Sequence, residues 1–292
     1  MADEAIHRLE IYGESKEPEP IYTRDVSEIA WALGSLQTDN FIFSDALEDY
    51  ISVISSKFVA MNEHRPLQKW ASADCVQLAV AMAHGRLDNP ELLKLIFEEA
   101  LYSIKDEIKQ LPGRNGNKHF QSWELSILLW VQARLYLTKE IGQVFDDFAE
   151  VLPRVLLSRM KGSVLHTKQE SLKTAFTNTG LGSQEKANLC WSLTVLDKVH
   201  SPGAMELVDS IFRDIAQSCA NGEQIKLEHA HQLWQSIFLL DFPSDEIVTD
   251  QFISFLKSTW DKEKARHKDS SARHKNLSQT LEFMGIPHYN EH

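Results

Sequence analysis

Approximate copies of one short apolar segment constrain this chain more than any other feature. Tryptophan and leucine recur at the same offsets in IAWALGSL, starting at Ile29, in LLWVQARL, starting at Leu128, and in LCWSLTVL, starting at Leu189. VQLAVAMA from Val76 and LWQSIFLLD from Leu233 are weaker copies. The starts are 47, 52, 61 and 44 residues apart, lengths that suit a pair of helices plus a loop. The pattern predicts a stack of helical hairpins.

The apolar spacing inside the copies indicates helices. In the copy from Leu189, Leu193 and Leu196 form a helical stripe that Trp191 and Val195 widen, so little of this helix can face water. Such helices need neighbours on more than one side, and adjacent repeats supply them. We therefore predict an all-α fold, a right-handed α-solenoid of about five helix pairs with a C-terminal amphipathic helix. The copies' tryptophans are predicted to be mostly buried: Trp31, Trp130, Trp191 and Trp234.

The chain is predicted to have three segments. Residues 1–24 form a loosely ordered leader, residues 25–260 the helical-repeat array, and residues 261–292 a basic segment with a terminal helix. The longest interval between copies has room for an extra short helix around residues 168–176. Gly85 is predicted to close the helix from Val76 in a left-handed cap.

Bulk properties exclude several classes of protein. A hydrophobic fraction of 43% with 12 glycines and 9 prolines favours a helical globular chain over a disordered one. The three cysteines, Cys75, Cys190 and Cys219, are far apart, so we expect thiols in a reducing compartment, with no metal-ligand spacing. No apolar run approaches the roughly 18 residues of a membrane helix. The acidic start MADEAIHRLE resembles neither a signal nor a transit peptide, so the sequence by itself indicates a cytoplasmic protein.

No convincing catalytic constellation is present. The sequence lacks a phosphate loop, GxSxG and HExxH. His229 and His231 lie two residues apart on a predicted helix, which points them to different sides and makes a shared metal unexpected. We therefore expect a protein that is not an enzyme and has no cofactor, no metal, no small-molecule substrate and no membrane partner.

Charge decides between nucleic acid and protein as the partner. With 30 Lys and Arg against 42 Asp and Glu, the net charge is −12, which opposes polyanions unless basic residues cluster. Two clusters are candidates for RNA binding: Arg154, Arg159, Lys161, Lys168 and Lys173, and near the C-terminus Lys264, Arg266, Lys268, Arg273 and Lys275.

The terminal segment SARHKNLSQTLEFMGIPHYNEH has a specific pattern. Leu277, Leu281 and Met284 share one helical face, and Gly285 with Pro287 ends the helix. Its spacing of Ser, His, Leu and Met-Gly resembles the lead-in to the RAP domain in organellar RNA-metabolism proteins, and ends before that domain. The segments ANLCWSLTVLD and HAHQLWQSIFLLD resemble the helical repeats of the same group, which includes octotricopeptide-like and FAST-kinase-like proteins. The resemblance covers residues 26–292.

This resemblance implies a helical array that binds an organellar transcript or ribosomal RNA and supports its processing, stability or translation. It implies a mitochondrial or plastid location. The leading hypothesis is thus a non-enzymatic RNA-binding repeat protein, and the alternative is a protein-interaction scaffold of the same fold. One continuous basic stripe would favour RNA, whereas Lys and Arg interleaved with Asp and Glu would favour the scaffold.

Overall fold

The computed structural model describes residues 23–36, 42–60, 67, 70–87, 89–109, 120–166, 181–240 and 248–266. Within these ranges the chain is all-helical, so the all-α prediction is confirmed. The helices are α1 (Thr23–Leu36), α2 (Ile42–Ala60), α3 (Ser72–Gly85), α4 (Pro90–Lys109), α5 (Ser122–Leu135), α6 (Gln143–His166), α7 (Ser183–Val195), α8 (Ala204–Ala220), α9 (Leu227–Leu240) and α10 (Asp250–Arg266). The chain divides into two compact units, residues 1–214 and 215–292.

In the first unit the helices form two rows. The first row is α1, α3, α5 and α7, each packed on the next, and the second row is α2, α4 and α6. Helices α1 and α2, α3 and α4, and α5 and α6 also pack as pairs. This neighbour-to-neighbour packing is that of an α-solenoid. Its handedness stays a prediction. In the second unit, α9 packs on α10.

The first-row helices repeat at a spacing that their ends define. They start at Thr23, Ser72, Ser122 and Ser183, which are 49, 50 and 61 residues apart. On this spacing Leu78, Leu128 and Leu189 are equivalent, and all three are fully buried. The copy in α3 therefore begins at Leu78, and its alignment from Val76 is wrong by two residues.

The same cap ends three of these helices. A backbone N–H two residues beyond the helix reaches back five residues in α3 (Leu87 to Met82, 2.9 Å) and in α5 (Leu137 to Gln132, 2.9 Å). In α7 the equivalent bond joins Lys198 to Leu193. The left-handed residue of each cap is not glycine: Arg86, Tyr136 and Asp197 have φ of 54°, 55° and 53°. Arg86 thus takes the position predicted for Gly85, at a cost of roughly 1–2 kcal/mol for a side chain in this conformation.

Hydroxyl and carboxylate groups join the starts of successive first-row helices. Thr23 Oγ1 donates to Asp74 at 2.6 Å, and Ser72 Oγ donates to Glu124 at 3.0 Å. Near their ends, α1 and α3 approach so closely that a Cβ on Gly34 would lie 2.8 Å from the Ala81 carbonyl oxygen. Since starts meet starts and ends meet ends, α1 and α3 run parallel.

Several sequence predictions need correction or fall outside the described residues. Trp31 is 47% exposed, so its predicted burial is wrong, while Trp130, Trp191 and Trp234 are partly buried. The boundaries predicted after residues 24 and 260 fall inside α1 and α10. The leader before residue 23, the extra helix near residues 168–176 and the terminal helix at 277–284 lie outside the described residues.

The three cysteines differ in burial. Cys75 and Cys190 are buried and Cys219 is partly buried, all as free thiols. Burial raises the pKa of the Cys190 thiol well above its usual range. None of the helices in the described ranges has the length and apolar content needed to cross a membrane.

Candidate functional site

One side of the first row repeats a large apolar side chain at the surface. By the helix spacing, Trp31, Val80, Trp130 and Trp191 are equivalent positions. We call the surface around them the aromatic face, defined by Trp31, Val80, His84, Trp123, Ile127, Trp130, Arg134 and Trp191. Helical spacing puts Trp123, Ile127, Trp130 and Arg134 on one side of α5. All eight side chains are partly buried or exposed.

Helix α7 belongs to the same parallel row. Lys198, just after α7, pairs with Asp146 and with Glu150 at 3.3 Å, and both acids lie near the start of α6. Because α6 starts shortly after α5 ends, the end of α7 lies beside the end of α5. Trp191 and Trp130 therefore point to the same side.

Two tryptophans of the aromatic face and the tyrosine that follows α5 are exposed. Trp31 is 47% exposed and Trp123 37% exposed, and Tyr136, which caps α5, is 64% exposed. Contiguous exposed apolar patches on soluble proteins mark sites where another molecule binds. Tryptophan and tyrosine are also the residues that most often dominate binding energy at interfaces.

His84 and Trp130 link the face across α3 and α5. Their ring centroids are 5.9 Å apart in a tilted arrangement. The pKa of His84 is lowered, first by partial burial and then by the positive charge of Arg134. Both effects disfavour the charged form of the His84 ring, which lies beside a cation and an indole.

A titration of His84 tests this arrangement. We expect its pKa, followed by NMR of the ring protons, to lie below the ordinary histidine value of about 6.5. Arg134→Gln should raise that pKa but leave it depressed, because the burial against Trp130 remains. Arg154→Gln, on a helix of the second row, is the control and should leave it unchanged. An unshifted His84 would contradict the geometry.

Carboxylates lie at the helix starts and not at the centre of the face. The third residue of each first-row helix is acidic: Asp25, Asp74, Glu124 and Glu185. Glu124 accepts from the Gln121 backbone N–H at 2.7 Å, and both Asp74 and Glu124 are buried. Asp74, Glu124 and Glu185 serve caps and contacts between helices. Glu28, three residues before Trp31, lies beside the face and pairs with Arg24.

The structure places few of the predicted RNA-binding residues. Arg154 is exposed on α6. Lys161 lies on α6, and Lys264 and Arg266 lie on α10, but the structure does not describe these three side chains. The remaining positions lie outside the described residues: Lys168, Lys173, Lys268, Arg273 and Lys275. A joint RNA-binding surface formed by these residues stays a prediction.

Arg159 is engaged within the fold. Its guanidinium donates to both carboxylate oxygens of Glu107, at 3.0 and 2.6 Å. It also donates to Ser122 Oγ at 3.1 Å and to the Phe120 carbonyl at 2.9 Å. These bonds tie α4 and α6 to the start of α5, which gives Arg159 a structural role.

Other cations of the described residues are also interleaved with acids. Ion pairs join Arg24 to Glu28, Lys105 to Asp147, Lys186 to Asp214, Lys198 to Asp146 and Glu150, and Arg213 to Asp209. Pairing of this kind lowers the positive potential that a phosphate would meet. Cations interleaved with acids favour a protein-interaction scaffold over RNA binding.

The second unit contains an open cleft of about 960 Å³ between α8, the following loop and α10. Its lining mixes apolar and polar side chains, including Phe255, Glu223 and Lys262. In α9, His229 is buried and His231 partly buried. Among the described residues no group of three His, Cys, Asp or Glu side chains could hold a metal ion.

Sequence reasoning missed the aromatic face because it placed the repeated tryptophans in the core. A signal was available in their helical neighbours. Glu28 and Ser35 flank Trp31 at helical spacing, and Arg134 follows Trp130 by four residues. Polar neighbours on the same stripe indicate a surface position. Compared with family models, with curated proteins and with solved structures, the chain gives no match in any of the three comparisons.

Proposed function

We propose that this protein is a non-enzymatic helical-repeat scaffold that binds another protein through the aromatic face. The observation that carries the proposal is the composition of that face. Four tryptophans, a valine and an isoleucine are partly or largely exposed there with few charges among them. Removing apolar surface from water contributes about 25 cal/mol per Å² and is the main driving force of protein association.

The same face is poorly suited to a phosphate backbone. Exposed aromatic rings can stack on bases, but proteins that bind single strands combine them with a positively charged groove. Among the described residues, Arg134 lies on the aromatic face, Arg86 lies just beyond its edge, and Arg24 is paired with Glu28 at 2.7 Å. A net charge of −12 further opposes a polyanion. A protein partner therefore fits better than RNA.

The proposal is tested with two variants of the protein, a face variant and a control variant. The proteins that each variant binds in cells are compared. In the face variant, Trp31→Ser and Trp123→Ser are combined. Both side chains are exposed, so the fold should persist. Ile108→Ser on α4 is the matched control, since Ile108 is 61% exposed and lies in the second row. We expect partner proteins that the control retains and the face variant loses, because only the latter removes the indoles.

RNA binding is measured in a separate titration. We expect purified protein to bind labelled single-stranded RNA no more tightly than an unrelated acidic protein, at two salt concentrations. Binding that weakens with salt at about 0.7 of a counterion per neutralised phosphate would overturn the proposal. Loss of RNA binding when the charges of Arg154 and Lys161 are reversed would also overturn the proposal. That result would support the RNA-binding hypothesis.

A further inference from the structure

We propose that the segment docking on the aromatic face is an acidic amphipathic helix that lies across the first-row helices, with apolar anchors at seven-residue intervals. This inference rests on the proposed function and names the partner's chemistry. Three features carry it: the spacing of the face, the charge at one edge, and the cap residues that extend this edge.

The spacing follows from helix packing. Packed helices lie about 8–10 Å apart, so the face presents one anchor site per helix at about that interval. Its sites are Trp31 on α1, Val80 on α3, Trp130 on α5 and Trp191 on α7. A helix rises 1.5 Å per residue, so residues seven apart lie about 10.5 Å apart and nearly on the same side. Such a helix contacts each site in turn.

An extended segment does not match this spacing. In a strand, side chains on one side recur at every second residue, about 6.6 Å apart, and at every fourth, about 13 Å apart. Both distances lie farther from the interval of about 8–10 Å than the roughly 10.5 Å of a helix does. The repeat of the face therefore selects a helix.

The side chains along the row also differ in size. Val80 is shorter than the indoles of Trp31 and Trp130, which occupy the equivalent positions on the two neighbouring helices. The face is consequently lower at α3 than at α1 or α5. The largest anchor of the docking helix belongs there.

Charge sets the orientation. His84 and Arg134 are equivalent residues at the ends of α3 and α5, and both are exposed. Arg134 makes no ion pair with any carboxylate of the described residues. Asp25, Asp74, Glu124 and Glu185 lie at the opposite ends of the helices, and the exposed Asp197 lies at this edge only beyond α7. The docking helix therefore presents Asp or Glu toward Arg134.

The caps give a second, independent reason to place the partner at this edge. Two residues beyond His84 and Arg134, the left-handed positions hold Arg86 and Tyr136, with φ of 54° and 55°. Glycine adopts this conformation without strain, yet both cap positions carry a large side chain. Tyr136 is 64% exposed, so packing within the described chain does not account for it. Residues other than glycine that are held in such a strained backbone conformation cluster at binding sites.

Synthetic helical peptides test the inference against the full chain. The probe is a labelled peptide of about 21 residues with Leu, Phe and Leu at seven-residue intervals and Glu along one flank. A second peptide of identical composition has its anchors at five-residue intervals, and a third has Lys in place of Glu. Binding is followed by fluorescence anisotropy. We expect the first peptide to bind at least about tenfold more tightly than either of the others.

The protein variants complete a charge-swap test. Arg134→Glu should weaken binding of the Glu peptide about tenfold and strengthen binding of the Lys peptide, because it reverses the charge at the edge. Arg134 is exposed, so this variant should fold, which circular dichroism checks. Arg154→Glu is the matched control and should change neither affinity.

The possible outcomes separate the two proposals. Equal binding of the seven- and five-residue spacings, or no exchange of preference in Arg134→Glu, overturns the acidic-helix inference. If the variant with Trp31→Ser and Trp123→Ser still loses its cellular partners in that case, the scaffold proposal stands. If that variant keeps its partners, the proposed function fails whatever the peptides do.

Discussion

Replacing Phe97 with alanine is expected to lower the free energy of unfolding of the first unit by about 3–5 kcal/mol. Phe97 lies on α4, is fully buried, and packs its ring edge to face against two rings of α6. The ring centroids of Phe145 and Phe148 are each 5.0 Å away. Such pairs add about 0.5–1.5 kcal/mol each to the effect of burial. The substitution leaves a cavity at the centre of the second row.

Ile108→Ala on the same helix is the control for this prediction. Ile108 is 61% exposed, so its truncation should change stability by no more than about 0.5 kcal/mol. Since the chain has two compact units, unfolding should be followed locally, by hydrogen exchange of α4 and α6 amides. Similar losses of protection in the two variants would mean that the second row is not held together by this cluster.

Much of the fold could be predicted because its signals are local. Apolar periodicity located α5 and α7, and Gly85 marked the end of α3. The register of α3 was harder. Its equivalent of Trp130 is Val80, so the copy lacks the tryptophan that aligns the others. Only the helix starts and the cap at Arg86 fix the equivalence, and cap positions are poorly defined by sequence.

The candidate site was harder to predict than the fold, for two physical reasons. Helix α5 is apolar on nearly every side, so periodicity cannot show whether Trp130 or Leu128 faces the core. Counting charges along the sequence also does not reveal ion pairs between residues that are distant in sequence. Arg159 was counted as a cation for RNA, yet its carboxylate partner, Glu107, lies 52 residues away. Both questions depend on which helices become neighbours.

The buried ion pair between α7 and α8 should give the second large effect. Lys186 Nζ lies 2.6 Å from Asp214 Oδ2, and the two side chains are only 12% and 6% exposed. Asp214→Asn removes the negative charge but keeps the shape, so the ammonium loses the Asp214 carboxylate in a poorly solvated site. Breaking a buried pair from one side costs about 3–5 kcal/mol. We expect that loss in urea unfolding followed by hydrogen exchange of α7.

The matched control lies on the same helix. Asp209 pairs with Arg213 at 2.8 Å, with side chains 40% and 33% exposed. Asp209→Asn should therefore change stability by about 0.5 kcal/mol or less, because water screens this pair. Replacing both buried partners, Lys186→Met with Asp214→Leu, should recover most of the loss, since the buried ammonium is removed together with the carboxylate. If Asp214→Asn were no more harmful than Asp209→Asn, water would have to reach Lys186, and the contact between α7 and α8 would be looser than its burial indicates.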